Sequence, residues 1–253
     1  MSKSPEKARL YVEDDLAHGL SISPSKDQMH YLMTVMRGEA GDHVLLFNGR
    51  DGEWRAAINP TGKKTCVLAV EAITRPQSAS PDAWLLFAPV KKARLDFIAQ
   101  KASEMGASRI WPVQTDYCQV SRVNDNRLAA NAIEAAEQTE RLDIAHIMDF
   151  TPLSMALDAL DAEDDGRLLI WCDEDSAGMP ALNAIDAMKA HPKPQKVAIL
   201  IGPEGGFSET ERLRLSALQN CLKVSLGPRI LRADTAVIAA LACYQSVWGD
   251  WPS

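Results

Sequence analysis

The sequence predicts an α/β protein with a mostly parallel sheet, preceded by a small β-barrel. Three observations carry that expectation. Past a proline-bearing break at Arg75–Pro81 (RPQSASP), apolar runs of strand length alternate with longer helical patterns. Ahead of the break, short strand-like stretches are separated by turn dipeptides. Two late apolar runs, VAILI at Val197–Ile201 and KVSL at Lys223–Leu226, each pass through a Gly/Pro-rich loop into a helical pattern. The two loops read IGPEGGFSETE (Ile201–Glu211) and LGPRILRADTA (Leu226–Ala236). Strand, loop and helix, twice in succession, put both loops at one edge of a sheet, where open α/β sheets bind ligands.

The first part, residues 1–76, has strand candidates at His43–Asn48, Glu53–Ile58 and Thr65–Ile73. Gly41-Asp42, Asn48-Gly49, Asp51-Gly52 and Thr61-Gly62 mark the turns between them. That spacing predicts a barrel of about five or six strands, with one helical interruption over Asp27–Arg37.

In the second part, residues 77–253, Ala83–Val90 reads as a buried strand and Lys91–Met105 as a helix closed by Gly106. Arg109–Val113 is a short strand and Arg127–Arg141 an Ala-rich helix. Gly166–Cys172 and Val197–Ile201 are further buried strands. Ser208–Gln219 is a helix with a capping box, because Ser208 stands three residues before Glu211. The last helix, Asp234–Trp248, places Val237, Leu241, Tyr244 and Trp248 on one stripe.

Composition excludes several classes. Apolar residues make up 46% and charged residues 24%, as in ordinary globular proteins, and no apolar run is long enough to span a bilayer. The N-terminal stretch MSKSPEKARLYVEDD lacks the apolar centre of a secretory signal. Five scattered cysteines without a CxxC pair argue against a disulfide framework or zinc site and for a reducing, cytoplasmic setting. The histidines are isolated, so no metal is expected. The net charge of −7 is local: Asp158–Asp175 holds eight acids against Arg167, which reads as a solvated connection plus a strand end. A basic face elsewhere is not excluded.

The loops narrow the chemistry. Gly202, Gly205 and Gly206 do not form GxGxxG, and no Gly-Lys-Ser/Thr follows, so dinucleotide and nucleoside triphosphate readings are weak. A glycine-rich turn exposes backbone N–H and C=O groups, which suit an adenine edge or a ribose. Pro228, Ile230 and Leu231 add apolar walls, and Arg229 and Arg232 add cations. Taken alone, the Gly-Pro-Glu-Gly-Gly turn reads equally well as a tight connection.

With their order and spacing, the two loop segments resemble those of the RsmE-type 16S ribosomal RNA uridine-N3 methyltransferases, of the SPOUT superfamily. HYLMTVMRGEAGD (His30–Asp42) resembles the HLxxVLRxxxGD signature of that family's PUA-like barrel. Lys91–Gly106, followed by Ile110 and Pro112, resembles its helix ending K-x-x-E-L/M-G and the next strand. AAEQTER (Ala135–Arg141) resembles its A-x-EQ-x-x-R helix. Two departures stand out: Asp234 replaces the usual Glu, and Asp116-Tyr117-Cys118 replaces a stretch that often carries Glu-Arg.

The resemblance implies a PUA-like, RNA-binding barrel over 1–76 and a SPOUT α/β trefoil-knot domain over 77–253. It implies a homodimer, S-adenosyl-L-methionine as cofactor, and the small ribosomal subunit as partner, methylated on N3 of a decoding-region uridine in the assembled particle. No membrane and no metal enter. The cofactor slot would comprise Leu169, Ile170 and Trp171; Ile201, Gly202, Pro203, Glu204, Gly205 and Gly206; and Leu226, Gly227, Pro228, Ile230, Leu231, Arg232 and Thr235. Arg232 is the first choice for stabilising charge on a uracil carbonyl, with pairing to an acid such as Glu204 as its structural alternative. Glu204 is a second catalytic candidate or a helix cap. Arg9, His30, Arg37, Lys91, Lys92, Arg94 and Lys101 are candidate RNA contacts flanking one cleft. Glu137, Gln138 and Arg141 belong to the motif either as substrate contacts or as a structural network. Rival readings are a SPOUT enzyme for a ribose hydroxyl or a tRNA base, a noncatalytic RNA-binding assembly factor, and an enzyme for another nucleotide.

Overall fold

The computed structural model describes residues 6–162, 166–173 and 182–251, apart from the side chains of Lys92, Ala93 and Leu182. The chain divides into two compact units, Met1–Ala79 with Ala136–Ile144, and Ser80–Ala135 with Ala145–Ser253. This differs from a single cut after residue 76, because a later segment returns to the first unit.

The first unit is a five-stranded sheet built from β1 (Arg9–Tyr11), β2 (Ser21–Ile22), β3 (His43–Phe47), β4 (Glu53–Gly62) and β5 (Thr65–Arg75). The spatial order is β1-β3-β4-β5-β2, antiparallel except for β1 on β3. Alternate residues of these strands (Leu10, Val44, Leu46, Ala56, Ile58, Leu68, Val70) form its core with Leu32. The helical interruption is shorter than expected. Helix α1 (Lys26–His30), opened by a Ser25–Gln28 capping box, runs into a π-helical turn at Tyr31–Val35. Arg37 then takes a left-handed φ of 51°, which ends the helix.

The returning segment explains the Ala135–Arg141 motif. The Arg9 guanidinium donates to Glu53 and to the carbonyls of Ala136 and Arg141, and lies 3.8 Å from the Phe47 ring centre. Glu137 accepts from the Tyr11 N–H at 2.9 Å. Arg9 is therefore a buried brace, its side chain 8% exposed, and is withdrawn from the RNA-facing set. The expectation failed because a cation in a sequence carries no sign of whether a ring and two carbonyls await it.

The second unit is a parallel α/β sheet. Its strands are β6 (Ala83–Phe87), β7 (Arg109–Gln114), β8 (His146–Ile147), β9 (Thr151–Pro152), β10 (Leu168–Cys172), β11 (Leu182–Asn183), β12 (Val197–Ile201) and β13 (Cys221–Ser225). The order is β11-β13-β10-β12-β6-β7-β8, with β9 also beside β7. Strands β6 and β12 are buried at every position, as expected of a sheet covered on both faces. The helices are α2 (Lys92–Glu104), α3 (Asp125–Gln138), α4 (Leu153–Ala162), α5 (Ala184–Ala190), α6 (Glu209–Ala217) and α7 (Ala233–Val247). Helix α7 packs on α2 and α5, and its expected stripe of Val237, Leu241, Tyr244 and Trp248 is buried. Gln245 on α7 donates to the Met105 carbonyl at the end of α2.

The acidic stretch Asp158–Asp175 is not simply a solvated connection. Asp158 and Asp161 lie on α4, and Asp173 is a buried carboxylate. Glu163, Asp164, Asp165, Glu174 and Asp175 lie outside the described residues.

Candidate active site and cofactor pocket

Strands β10, β12 and β13 run parallel and end together, so the segments leaving their carboxyl ends meet. They enclose a pocket. Its walls come from Cys172 and Asp173 after β10, from Ile201–Glu204, Gly206 and Phe207 after β12, and from Ser225–Gly227, Arg229 and Leu231 after β13. Ala233 and Ala236 of α7 complete it.

Backbone geometry explains this lining. A Cβ at Gly202 would come within 2.7 Å of the Phe207 ring, so only glycine lets the first loop fold back on itself there. In the second loop Gly227, Arg229, Leu231 and Ala233 line the pocket, whereas Pro228, Ile230 and Arg232 do not. Gly227 turns the chain with a left-handed φ of 114°, and Arg232 is extended at φ −65°, ψ 152° where it precedes α7.

Several expected positions are corrected. Leu169, Ile170 and Trp171 lie inside the sheet, at most 4% exposed, and line no part of the pocket. The strand runs on to Cys172, so its ligand-facing end comes one to two residues later. Gly205, Pro228, Ile230, Arg232 and Thr235 stand on the loops or the start of α7 but outside the wall. The residues the sequence reading missed are Cys172, Asp173, Phe207, Ser225, Ala233 and Ala236, while Arg229, read only as a loop cation, also lines the wall. The full length of β10 was the available signal for Cys172 and Asp173.

Two ion-pair groups hold this arrangement. Asp173, with a side chain 1% exposed, pairs with Arg212 on α6 and with Lys223 of β13 at 3.0 Å. Arg212 also donates to the Phe207 carbonyl at 3.1 Å, and Lys223 lies 4.9 Å from the Trp171 ring. One buried carboxylate thus ties the end of β10 to the element after the first loop and the element before the second. On the outside, Arg94 of α2 donates to Glu204 at 2.6 Å and approaches Asp234 at 3.9 Å. It joins the first loop to the start of α7.

Glu204 is therefore paired with Arg94, and Arg232 is not its partner. Arg232 is exposed; its carbonyl accepts from the Ala236 N–H at 2.8 Å, and its side chain makes no hydrogen bond or ion pair among the described residues. Of the other expected RNA contacts, Arg94 is engaged as a brace and Lys101 is paired with Glu104 at 2.7 Å. Lys91 caps α2 and is exposed, as are His30 and Arg37 on the first unit. The Lys92 side chain lies outside the described residues. Burial raises the thiol of Cys172 beyond ordinary titration and that of Cys221 to about 11, so neither serves as a nucleophile at neutral pH. Among the described residues no group of three His, Cys, Asp or Glu side chains could hold a metal ion, and no helix is long and apolar enough to cross a membrane.

A parallel sheet whose carboxyl edge carries two Gly/Pro-containing loops around a pocket, with a terminal helix completing it, is matched here by RNA methyltransferase families. The RNA methyltransferase domain family matches residues 77–245, and the RNA methyltransferase PUA domain family matches residues 24–71. Ribosomal RNA small subunit methyltransferase E of Rickettsia conorii is 34% identical over 92% of this chain and 93% of its own length. The enzyme of the same name from Bacillus subtilis is 27% identical over 88% of each chain. A methyltransferase of Legionella pneumophila, solved in complex with bound SAM, is 30% identical, with a TM-score of 0.80 over 96% of this chain and 98% of that one. Ribosomal RNA small subunit methyltransferase E of Neisseria gonorrhoeae, at 24% identity and a TM-score of 0.81 over 96% of this chain and 99% of that one, shares the fold. The chain belongs to the ribosomal RNA small subunit methyltransferase E family, with an RNA methyltransferase PUA domain followed by an RNA methyltransferase domain.

Proposed function

We propose that the protein methylates N3 of a uridine in the decoding region of 16S ribosomal RNA, acting on the assembled small subunit with S-adenosyl-L-methionine as methyl donor. The observation that carries the reading is the pocket at the carboxyl edge of β10, β12 and β13, with an unpaired arginine beside it. Its residues fit the cofactor. Ile201, Phe207, Leu226 and Leu231 give apolar walls, and the glycine positions leave backbone groups accessible, while the buried Asp173 holds the loops through Arg212 and Lys223.

When bound, the cofactor supplies an electrophilic methyl on a sulfonium. The chain's residues have to present the acceptor. Uridine N3 carries a proton at neutral pH and becomes nucleophilic as that proton leaves to solvent or a base, and negative charge then grows on the uracil carbonyls. Arg232 stands between two wall residues, Leu231 and Ala233, is itself exposed outside the wall, and is assigned here to the acceptor base. A guanidinium there stabilises that charge. Glu204, paired with Arg94, is assigned to bracing the first loop rather than to proton transfer. His30, Arg37 and Lys91 are the exposed cations assigned to phosphate contact. N3 lies on the Watson–Crick edge, so the uridine is unpaired when modified.

The same reading includes a trefoil knot, supported by β12 and β13 flanking the earlier strand β10, and a cytoplasmic homodimer using the half-exposed face of α7 around Ile238 and Ala239. Light scattering tests the dimer. The activity is tested with small subunits from a strain lacking the modification, methyl-labelled S-adenosylmethionine and digestion to nucleosides. Label in 3-methyluridine supports the proposal; label in another nucleoside overturns the specificity. No label, together with no cofactor binding by calorimetry, points to a noncatalytic RNA-binding protein. Replacing Arg232 by Ala is expected to leave the cofactor Kd within about twofold and to lower turnover by about 10²–10³-fold. Full turnover in that variant removes Arg232 from the mechanism.

A further inference from the structure

We infer that Tyr117 is the platform on which the acceptor base stacks; this rests on the RNA methylation proposed above. Tyr117 follows β7 at the same carboxyl edge as the cofactor loops, and its side chain lies against the first of them. A Cβ added at Gly205 would lie 3.4 Å from Tyr117 Cβ and 3.8 Å from Cγ, so the tyrosine stands at van der Waals distance from the first loop. Despite that contact, Tyr117 is 54% exposed.

The exposure is not that of a loose loop. The Cys118 N–H donates to the Thr115 carbonyl at 3.0 Å and closes a turn around the tyrosine. The Asp116 N–H donates to Glu211 at 2.9 Å, and the Ser208 hydroxyl donates to Asp116. Ser208 and Glu211 are themselves the capping box of α6, so the turn is fastened to the helix that follows the first cofactor loop. Thr115 on one side is buried, and Cys118 on the other points its thiol at the Pro89 and Val120 carbonyls.

An aromatic ring held out in water by a framework this well bonded is pre-organised, and among the described residues no second ring or cation stacks on it. Its position beside Gly205, next to the Glu204–Arg94 pair, is where a base reaching toward the pocket passes. Unstacked RNA bases are held on aromatic side chains in this way, each stack contributing about 1–3 kcal/mol. The ring supplies the stacking face, and Arg232 addresses the carbonyl edge.

The test compares the full-length wild type, Tyr117→Phe and Tyr117→Ala on small subunits from a strain lacking the modification. It measures subunit binding, methyl transfer and the cofactor Kd. Tyr117→Ala is expected to weaken subunit binding and kcat/KM by about tenfold or more, with cofactor Kd within about twofold. Tyr117→Phe, which keeps the ring, is expected to stay within about twofold of wild type. Unchanged binding and turnover in Tyr117→Ala overturns the inference. An equal loss of cofactor affinity in Tyr117→Ala also overturns it, because Tyr117 then only supports Gly205. Should the wild type bind subunits without methylating them, the enzymatic reading fails while the binding comparison still decides Tyr117. If the wild type does not bind subunits, both fall.

Discussion

The two ends of the parallel sheet use the same ingredients to opposite effect. At the amino end, Arg167 pairs through both nitrogens with Asp82 at 2.9 and 3.0 Å, while its guanidinium carbon lies 3.6 Å from the Trp84 ring. Arg109 covers Trp84 as well, at 3.8 Å. At the carboxyl end, Asp173 pairs with Arg212 and Lys223, and Lys223 lies over Trp171. Each end has a carboxylate, arginine and a tryptophan. At the amino end they close the sheet on itself. At the carboxyl end they fasten loops around a space. The difference lies in what the cations are attached to: Arg167 and Arg109 belong to strand starts, whereas Arg212 and Lys223 belong to the elements bordering two glycine-rich loops.

Breaking the carboxyl end is expected to give the largest effect. Asp173→Ala leaves two cations facing a missing partner in a buried place, which costs on the order of 3–5 kcal/mol of stability. Cofactor affinity is expected to drop by about a hundredfold or more, because the same change frees both loops. Denaturant melts and calorimetry read the two quantities. If Asp173→Ala binds cofactor normally, the carboxylate is only structural.

The matching change at the amino end sharpens the contrast. Arg167→Ala is expected to cost roughly 2–4 kcal/mol, from a lost pairing and a lost contact with Trp84. The cofactor Kd of the folded variant should stay within about twofold. A large affinity loss there shows that the two ends are coupled through the strands.

Alkaline pH probes the amino end without mutation. Tyr244, whose neighbours include Asp82 and Asp250, is raised from 10 to about 12 by burial, and Cys221 at the start of β13 is raised to about 11. In the unfolded chain both lose their protons earlier than in the folded one, so the unfolded state binds fewer protons and stability falls as pH rises. The stability from these two groups is fully present below about pH 9 and is expected to decline between about pH 9 and 12 by roughly 4–5 kcal/mol. Chemical melts across that range check it; a flat profile means neither group is buried in solution.

The smallest effect is expected at the outer brace. Arg94 and Glu204 are both partly exposed, so Arg94→Ala should change stability by less than about 1 kcal/mol. A loss of cofactor affinity of about two- to fivefold is expected, because one loop tether remains at Asp173. A hundredfold loss makes Arg94 a direct ligand.

Most of the strands and helices near the site were legible. Val197–Ile201 is a strand at the residues read from its apolar run, and Ser208 caps α6 as its spacing with Glu211 requires. The helical interruption expected over Asp27–Arg37 is present over Lys26–Val35, its second half as a π-helical turn, and it stops short of the left-handed Arg37. Helices α4 and α5 were not read at all, because α4 sits in an acidic stretch that resembles a solvated link and α5 has only seven residues. Among the expected site residues, Gly202, Gly206, Leu226, Gly227 and Leu231 line the pocket, whereas Gly205, Pro228 and Ile230 do not. Asp173 was not expected, because one acid among eight looks like its neighbours until two cations from distant segments close on it.

By itself the sequence determined which segments are strands and helices, that two glycine-rich loops follow successive strands, and what those loops exclude. These are local properties: periodicity, capping and backbone freedom act within about ten residues. The tertiary structure alone decided which cations are spent and which are free. Arg9, Arg94 and Lys101 look the same in the sequence as Lys91, Arg37 and Arg232, yet the first three are held by partners and the last three are exposed. A charge's role depends on what lies within a few ångströms of it. For Arg9 and Arg94 that surrounding comes from segments more than a hundred residues away.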